Sequence, residues 1–198
     1  MPIAKSTMAE SIQAGVGKTA LDEEKSGFGG VYKVTCFDAN GNLKWEDEFR
    51  NLVVNQGLQY LNDAFFKSLG TTYSAAWFLG LVDNVGLPSP NPYVAGDTLA
   101  SHGWTELAAG TVYSGSRKSV TFGTPTTADP SVITNSASPS VFNILTNAVI
   151  AGAFLTTASS GTAAPNILFS AGNFTGGAKT VANGDTVNVT YTFNADAA

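Results

Sequence analysis

The three residues Gly17-Lys18-Thr19 match the end of a phosphate-binding loop, in which backbone N–H groups and a lysine cradle nucleotide phosphates. Such a loop requires a glycine five positions before the Gly-Lys pair, and Ile12 occupies that position. It also requires a buried strand before it and a helix after it, within a parallel sheet, whereas the residues that follow indicate antiparallel hairpins. We therefore interpret Gly17-Lys18-Thr19 as a chance match within an N-terminal arm, with no nucleotide cofactor.

His102 is the sole histidine, so any Ser-His-Asp machinery would have to use it. Its sequence neighbours Ser101, Trp104 and Glu106 lie in or beside a predicted loop, and nothing places a nucleophile next to the ring. We expect a loop histidine that is hydrogen-bonded to backbone. A zinc site would need more ligands than one histidine and one cysteine supply.

Carboxylates offer two further kinds of site. Asp83, Asn84 and Asp97 could share a calcium ion with loop carbonyls, but their spacing is not that of an EF-hand and favours turn-forming residues. A glycoside hydrolase needs two acids at the right separation, for which a pair such as Asp97 and Glu106 would have to converge in a cleft. We expect neither arrangement, and hence no catalytic residue, cofactor or metal.

The three tryptophans could stack on sugars, because an aromatic ring offers a flat apolar face. Trp77 lies in the apolar run "WFLGLV", which indicates a core position. Trp45 and Trp104 are expected to be partly buried at loop junctions.

Composition limits the classes of protein further. Of 198 residues only 13% are charged, the net charge is -5 and the isoelectric point is about 4.7. Binding to nucleic acid or to anionic lipid needs clustered Lys and Arg, so neither partner is expected. The single cysteine, Cys36, cannot form an intramolecular disulfide. The first 15 residues lack the apolar core of a signal peptide, and no apolar stretch could span a bilayer, so we expect synthesis in the cytoplasm.

Charges concentrate near the N-terminus, where residues 1–50 carry 14 of the 25. Residues 1–30 are polar, contain five glycines and show no sustained apolar period, which predicts a flexible N-terminal arm. Residues 31–198 form the second region and are expected to be a single β-sandwich domain.

Hairpin signals and one helical pattern define the elements of that domain. Residues 31–37 and 43–54 flank the turn sequence "DANGN", and this arrangement predicts a β-hairpin. A helix is predicted over about 55–67, ending near Gly70, with Asn55 as its cap. Its apolar face is predicted to comprise Val54, Leu58, Leu61 and Phe65.

The remaining segments predict strands and one long loop. Strict alternation in "GDTVNVTYTFNA" indicates a half-buried strand, and residues 83–104, with three prolines, read as an irregular surface loop. Short strands separated by Gly, Pro and Asn turns are typical of a mainly β protein, an antiparallel sandwich or jelly-roll-like body. Beyond 77–82 and the final alternating segment, strands are predicted near 105–109, 111–123, 131–135, 141–145, 148–157 and 166–170.

The order of "NLVVNQGLQYLNDAFF", "WFLGLVDN", "GDTLASHGWTEL", "YSGSRKSVTFG", "VITNSASPSVFNI" and "LFSAGNFTGGAKTVANGDTVNVTYTF" resembles a family of virion structural proteins of tailed bacteriophages. The resemblance runs from about residue 51 to 193. It implies a head decoration, or cement, protein that is made in the bacterial cytoplasm, covers the outer capsid surface and is often a trimer with a jelly-roll body. The implied partners are the major capsid protein and further copies of this chain.

A cement protein gains binding energy from surface area, and weak contacts are multiplied over a repeated shell. The residues expected to bind the capsid are those of the arm: Ile12, Val16, Lys18, Leu21 and Phe28. The residues expected to contact neighbouring copies are those of the long loop: Pro88, Pro90, Pro92, Tyr93, His102 and Trp104. Two alternatives stay open: a tail or fibre-base component or host-surface carbohydrate binder, and an enzyme acting on the host envelope.

Overall fold

The computed structural model of the protein describes residues 27–67, 76–85, 87 and 92–196. Within these residues the chain forms twelve β-strands and one α-helix. The elements are β1 (Phe28–Phe37), β2 (Leu43–Arg50), β3 (Leu52–Val53), α1 (Asn55–Phe66), β4 (Trp77–Asp83), β5 (Thr105–Glu106), β6 (Lys118–Val120), β7 (Ser131–Thr134), β8 (Ser140–Asn143), β9 (Ala148–Thr156), β10 (Leu168–Asn173), β11 (Lys179–Val181) and β12 (Thr186–Ala195).

The strands assemble into two sheets whose pairings are antiparallel. The first sheet has the order β2-β1-β12-β7, and β8 also pairs with β12. The second has the order β3-β10-β9-β4-β5, with β11 also on β9 and β6 also on β4. The chain passes from the first sheet to the second at Asn51, between β2 and β3. The predicted mainly β, antiparallel sandwich-like fold is confirmed.

The main core lies between the two sheets. From the first sheet, alternate residues of β12 point inward, and Val187, Val189 and Tyr191 are buried as the period of two predicts. From the second sheet, Leu79 and Leu155 pack against them. Apolar side chains facing one another across two sheets remove a large apolar area from water, which is the main force that holds the sandwich together.

A second core covers the other face of the second sheet. Residues of the segment 92–104 fold over this face, and Tyr93, Leu99 and Trp104 pack there with Phe154 of β9. The expectation that residues 83–104 form a surface loop is therefore wrong for the half from residue 92 onward. The predicted irregular backbone is confirmed for residues 92–104, but this irregular segment carries buried side chains.

The helix begins at Asn55, as predicted, but its cap and its buried face differ. Val54 is the N-cap residue, and the side chain of Asn55 makes no cap hydrogen bond. Gly57 and Tyr60 are the buried residues of the helix. Gly57 lies against the carbonyl oxygen of Phe169 in β10, so this side of the helix faces the sheet. Of the predicted apolar face, Leu58 and Phe65 are exposed, so the helix presents only part of that face to the core.

The first hairpin has the predicted turn. The Asp38 carboxylate accepts hydrogen bonds from the backbone N–H groups of Asn40 and Asn42, each at 2.8 Å, and Gly41 has a φ of 82°. These carboxylate hydrogen bonds lower the pKa of Asp38. Glycine adopts a positive φ at little steric cost, so Gly41 fits this turn. The turn then sets the β1–β2 register.

Several strand predictions were wrong in extent. The predicted strand 111–123 contains only β6, since residues 108–117 form turns, and the strand predicted near 166–170 begins later and runs to Asn173. No prediction covered β11. The predicted arm boundary at residue 30 also needs correction, because Phe28, Gly29 and Gly30 belong to β1 and pair with β12.

Gly152 gives a direct test of the packing between β9 and β10. A Cβ atom at Gly152 would collide with the carbonyl oxygen of Gly172, a backbone atom that cannot rotate away. We expect Gly152→Ala to lower the free energy of unfolding by about 1–3 kcal/mol, the usual effect of overpacking, as measured by urea denaturation.

Gly29→Ala is the matched control. It also lies in a strand, but a Cβ there would meet no atom within 4 Å. We expect its stability to stay within about 1 kcal/mol of wild type. Equal losses for both variants would contradict the close approach of β9 and β10.

Candidate functional site

His102 makes contacts that are structural. Its Nδ1 lies 2.7 Å from the main-chain oxygen of Trp104, and because a carbonyl oxygen can only accept, Nδ1 is the donor. The imidazole stacks on the Trp104 ring, with centroids 3.8 Å apart. The predicted loop histidine bonded to backbone is confirmed.

The acids considered for catalysis or calcium binding are held by separate partners. Glu106 accepts two hydrogen bonds from Arg117, from Nε at 2.9 Å and from Nη2 at 2.7 Å. The Asp97 carboxylate accepts the N–H of Val94 at 3.2 Å, and that of Asp83 accepts the N–H of Val85 at 2.9 Å. Asp97 and Glu106 thus each complete a local structure. Across residues 27–67, 76–85, 87 and 92–196, no group of three or more His, Cys, Asp or Glu side chains is placed to hold a metal.

Arg117 joins three segments of the chain. Besides Glu106 on β5, its guanidinium donates to the carbonyl oxygens of Ala158 and Gly161 at 3.1 and 3.0 Å, and it lies 5.3 Å from the centroid of the Phe154 ring. The Arg117 side chain is 4% exposed and that of Glu106 is 26% exposed. A buried guanidinium without its carboxylate would lose most of the compensation for its desolvation.

We therefore expect Glu106→Ala to destabilise the fold by about 3 kcal/mol, because it leaves the Arg117 charge buried and unpaired. Equilibrium unfolding in urea measures the loss.

The control uses the exposed pair Lys33–Glu46, whose side chains are both more than half exposed. We expect Glu46→Ala to change stability by less than about 1 kcal/mol, since surface ion pairs contribute little. A Glu106→Ala variant as stable as Glu46→Ala would contradict a structural role for Glu106.

Cys36 is a buried thiol on β1. Burial, with a further contribution from the nearby Asp185 carboxylate, raises the pKa of Cys36 to about 12. Because the folded pKa exceeds the unfolded value, the neutral thiol stabilises the fold fully below the unfolded pKa. That contribution is lost as pH rises through the range between the two values.

We expect Cys36 in the native protein to resist alkylation by iodoacetamide at pH 8, where a thiol of this pKa forms almost no thiolate. Mass spectrometry should find the adduct only after unfolding in urea. Rapid modification of the folded chain would show that the thiol is accessible.

The residues predicted for inter-subunit contacts are mostly internal. Pro92, Tyr93 and Trp104 are buried within one chain, where the Tyr93 hydroxyl donates to Asn173 Oδ1 at 2.7 Å. Their side chains are therefore little available to a neighbouring copy, and an inter-subunit role for this loop stays a prediction. His102 is half-buried against Trp104. Pro88 and Pro90 lie outside the described residues.

Among the residues predicted for the capsid-binding arm, only Phe28 lies in the described part of the chain. It is the first residue of β1 and is 45% exposed. Ile12, Val16, Lys18 and Leu21 lie outside the described residues, as does the Gly17-Lys18-Thr19 motif.

An apolar groove of about 410 Å³ opens between the two sheets, beside the C-terminal half of α1. Its lining comes from both sheets, from the helix and from the segment before β7. It is lined by Leu61, Phe65, Trp77, Phe122, Pro125, Ser131, Ile133, Leu155, Phe169, Tyr191, Phe193 and Ala195. The polar side-chain groups in this lining are the hydroxyls of Ser131 and Tyr191 and the indole N–H of Trp77, and no lining residue is charged, so the groove suits an apolar occupant.

Aromatic rings connect this groove to the surface. Phe28 stacks on Phe193 at a centroid distance of 6.0 Å and contacts Phe65 at 6.2 Å, and Phe65 contacts Phe66 at 6.5 Å. We call Phe28, Phe65 and Phe66 the rim phenylalanines; they are 45%, 60% and 83% exposed. Three neighbouring exposed rings form an apolar patch of the kind found at protein interaction sites.

Sequence reasoning missed this groove because its lining comes from distant segments. The apolar spacing predicts Phe65 on the buried face of the helix, and no prediction covers Phe66. The adjacent pair Phe65-Phe66 at the end of an amphipathic helix was the available signal, since both rings cannot lie on one buried face.

The three tryptophans lie in separate surroundings. Trp45 donates its Nε1–H to the carbonyl oxygen of Thr180 at 3.0 Å, and Trp104 is 4% exposed, more buried than predicted. Trp77 packs against the main core, as predicted, but it is only half-buried because it also lines the apolar groove.

Comparison of the chain with protein-family models, with curated proteins and with solved structures gave no match. In the described part of the chain, no helix has both the length and the hydropathy needed to cross a membrane.

Proposed function

We propose that this protein is a non-enzymatic decoration protein of a bacteriophage head, which binds the outer surface of the capsid lattice and stabilises it. The proposed partners are the major capsid protein and further copies of the chain, as a trimer. The sequence resemblance supports the virion class, and the exposed aromatic surface supports binding through apolar contact.

The single observation that carries the proposal is the exposed aromatic patch formed by the rim phenylalanines. Aromatic side chains bury a large area at low conformational-entropy cost, and they dominate the energetics of many interfaces. Phe66, at 83% exposure, has almost all of that area available to a partner. The patch lies where β1 begins, so the rim and the residues before it would meet the same partner surface.

The low charge of the molecule supports an area-based mode of binding. Only 13% of residues are charged, and buried or half-buried acids such as Asp47, Glu106 and Asp185 already pair with Lys179, Arg117 and Lys44. An interface based on apolar contact is weakly screened by salt. Such binding suits a virion component that must persist through changes of ionic strength.

The double variant Phe65→Ser/Phe66→Ser tests the patch. We expect it to fold as wild type, because both rings are mostly exposed, and to bind purified capsids that lack this protein with at least about tenfold lower affinity. Co-sedimentation with the capsids measures binding, and circular dichroism measures folding.

Leu43→Ser is the matched control, because Leu43 is 55% exposed but lies at the β1–β2 turn, away from the groove. It should bind capsids as wild type does. If the double variant coats capsids at full occupancy, the rim phenylalanines do not bind the shell.

Copy number in the purified virion tests the placement. A decoration protein should give a stained gel band comparable to that of the major capsid protein, because it repeats over the lattice. A faint band corresponding to a few dozen copies or fewer would overturn the head assignment and favour a tail or fibre-base component.

A further inference from the structure

The mouth of the apolar groove is the point at which the N-terminal segment joins the body. Phe28 is the first residue of β1, and its ring stacks on Phe193, which lines the groove. Residues 1–26 lie outside the described structure and connect to this position through Gly27. Wherever these residues go, they start beside an open apolar surface.

The nearest branched aliphatic side chains before Phe28 are Leu21 and Val16. Leu21 precedes Phe28 by seven residues, which span at most about 25 Å when extended. Residues between them include three acids, Asp22, Glu23 and Glu24, and a lysine, Lys25. A chain that turns back at Gly27 can therefore place Leu21 in the groove while these charges stay in water at its mouth.

The chemistry of the groove fits such an occupant. Its walls are aliphatic and aromatic, and the Tyr191 hydroxyl at its edge already accepts a hydrogen bond from Asn51 at 2.9 Å. No charged side chain lines the groove, so a charged or strongly polar ligand would find no matching group there. A volume of about 410 Å³ is within the range of sites that enclose a small ligand and is sufficient for two aliphatic side chains.

We propose that, in the free protein, Val16 and Leu21 of the same chain dock in this groove. The covalent tether favours the chain's own segment over a second copy, because a short flexible connection gives an effective concentration in the millimolar range. Docking removes the groove walls and the inner faces of Phe28 and Phe65 from water. The proposal concerns the isolated chain and is independent of what the virion partner is.

The first experiment uses the full chain and the dye 8-anilinonaphthalene-1-sulfonate, which fluoresces in exposed apolar sites. We expect Val16→Ser/Leu21→Ser to raise dye binding by roughly tenfold, the order of the equilibrium change when a buried leucine is lost. The matched control Ile3→Ser/Met8→Ser removes two apolar side chains farther from Phe28 and should leave dye binding at the wild-type level.

Two results of this experiment would overturn the proposal. One is dye binding by Val16→Ser/Leu21→Ser equal to that of the control. The other is an increase that appears only with Leu69→Ser, which would assign the cover of the groove to the segment between Lys67 and Ala76.

The second experiment places a disulfide between the segment and the groove, in a Cys36→Ala background that leaves no other thiol. We expect Leu21→Cys/Phe65→Cys to form an intramolecular disulfide on mild oxidation, detected as a monomer of altered mobility. Leu21→Cys/Val141→Cys should not, because Val141 is exposed on β8, which lines no part of the groove.

A disulfide that forms only between two chains would overturn docking within one chain and assign the groove to a neighbouring copy. Because neither experiment contains capsids, their failure would leave the proposed decoration function to be judged by its own tests.

Discussion

The arrangement of the two sheets depends on a small set of buried hydrogen bonds that join them. The Tyr32 hydroxyl from the first sheet lies 2.8 Å from Ser170 Oγ in the second, and Asn51, at the crossover, donates to the Tyr191 hydroxyl at 2.9 Å. The side-chain Oδ1 of Asn51 accepts the N–H of Gly30 at 2.8 Å. Burial raises the pKa of Tyr32 and of Tyr191, so both phenols stay neutral. Unpaired buried hydroxyls are costly, so these bonds favour one relative placement of the sheets.

That placement leaves one end of the sandwich open. Tyr191 forms part of the groove wall, and two residues further along β12 the Phe193 ring meets Phe28. At Gly30, a Cβ atom would collide with the Tyr191 ring, so glycine there lets the tyrosine reach Asn51. Neighbouring β12 side chains thus close the core and continue an aromatic surface outward, so the proposed binding surface lies next to residues that stabilise the fold.

Much of this fold follows from local sequence. The period of two in β12 correctly placed Val187, Val189 and Tyr191 in the core, and the Asp38–Gly41 turn was readable from its residue types. The buried face of the helix does not follow from local sequence. Gly57 packs against the Phe169 carbonyl and determines which side of the helix faces the sheet, and a pattern of apolar side chains does not include glycine. Trp104 was misjudged for a similar reason. Its burial depends on Phe154, fifty residues away, whose ring fills the space that a Cβ at Gly80 would occupy.

Sequence patterns do not predict the groove or its rim. An exposed phenylalanine and a core phenylalanine look alike in a sequence, and only the geometry separates Phe65 and Phe66 from the buried Phe169. Apolar surface exposed to water costs free energy in proportion to its area, so a chain that retains it is expected to cover it during function. Because the apolar groove carries almost no polar groups, selectivity must come from shape and from the directions of ring contact. For the proposed capsid partner, we expect fit to the rim to determine selectivity and the burial of Phe66, now 83% exposed, to contribute most to affinity.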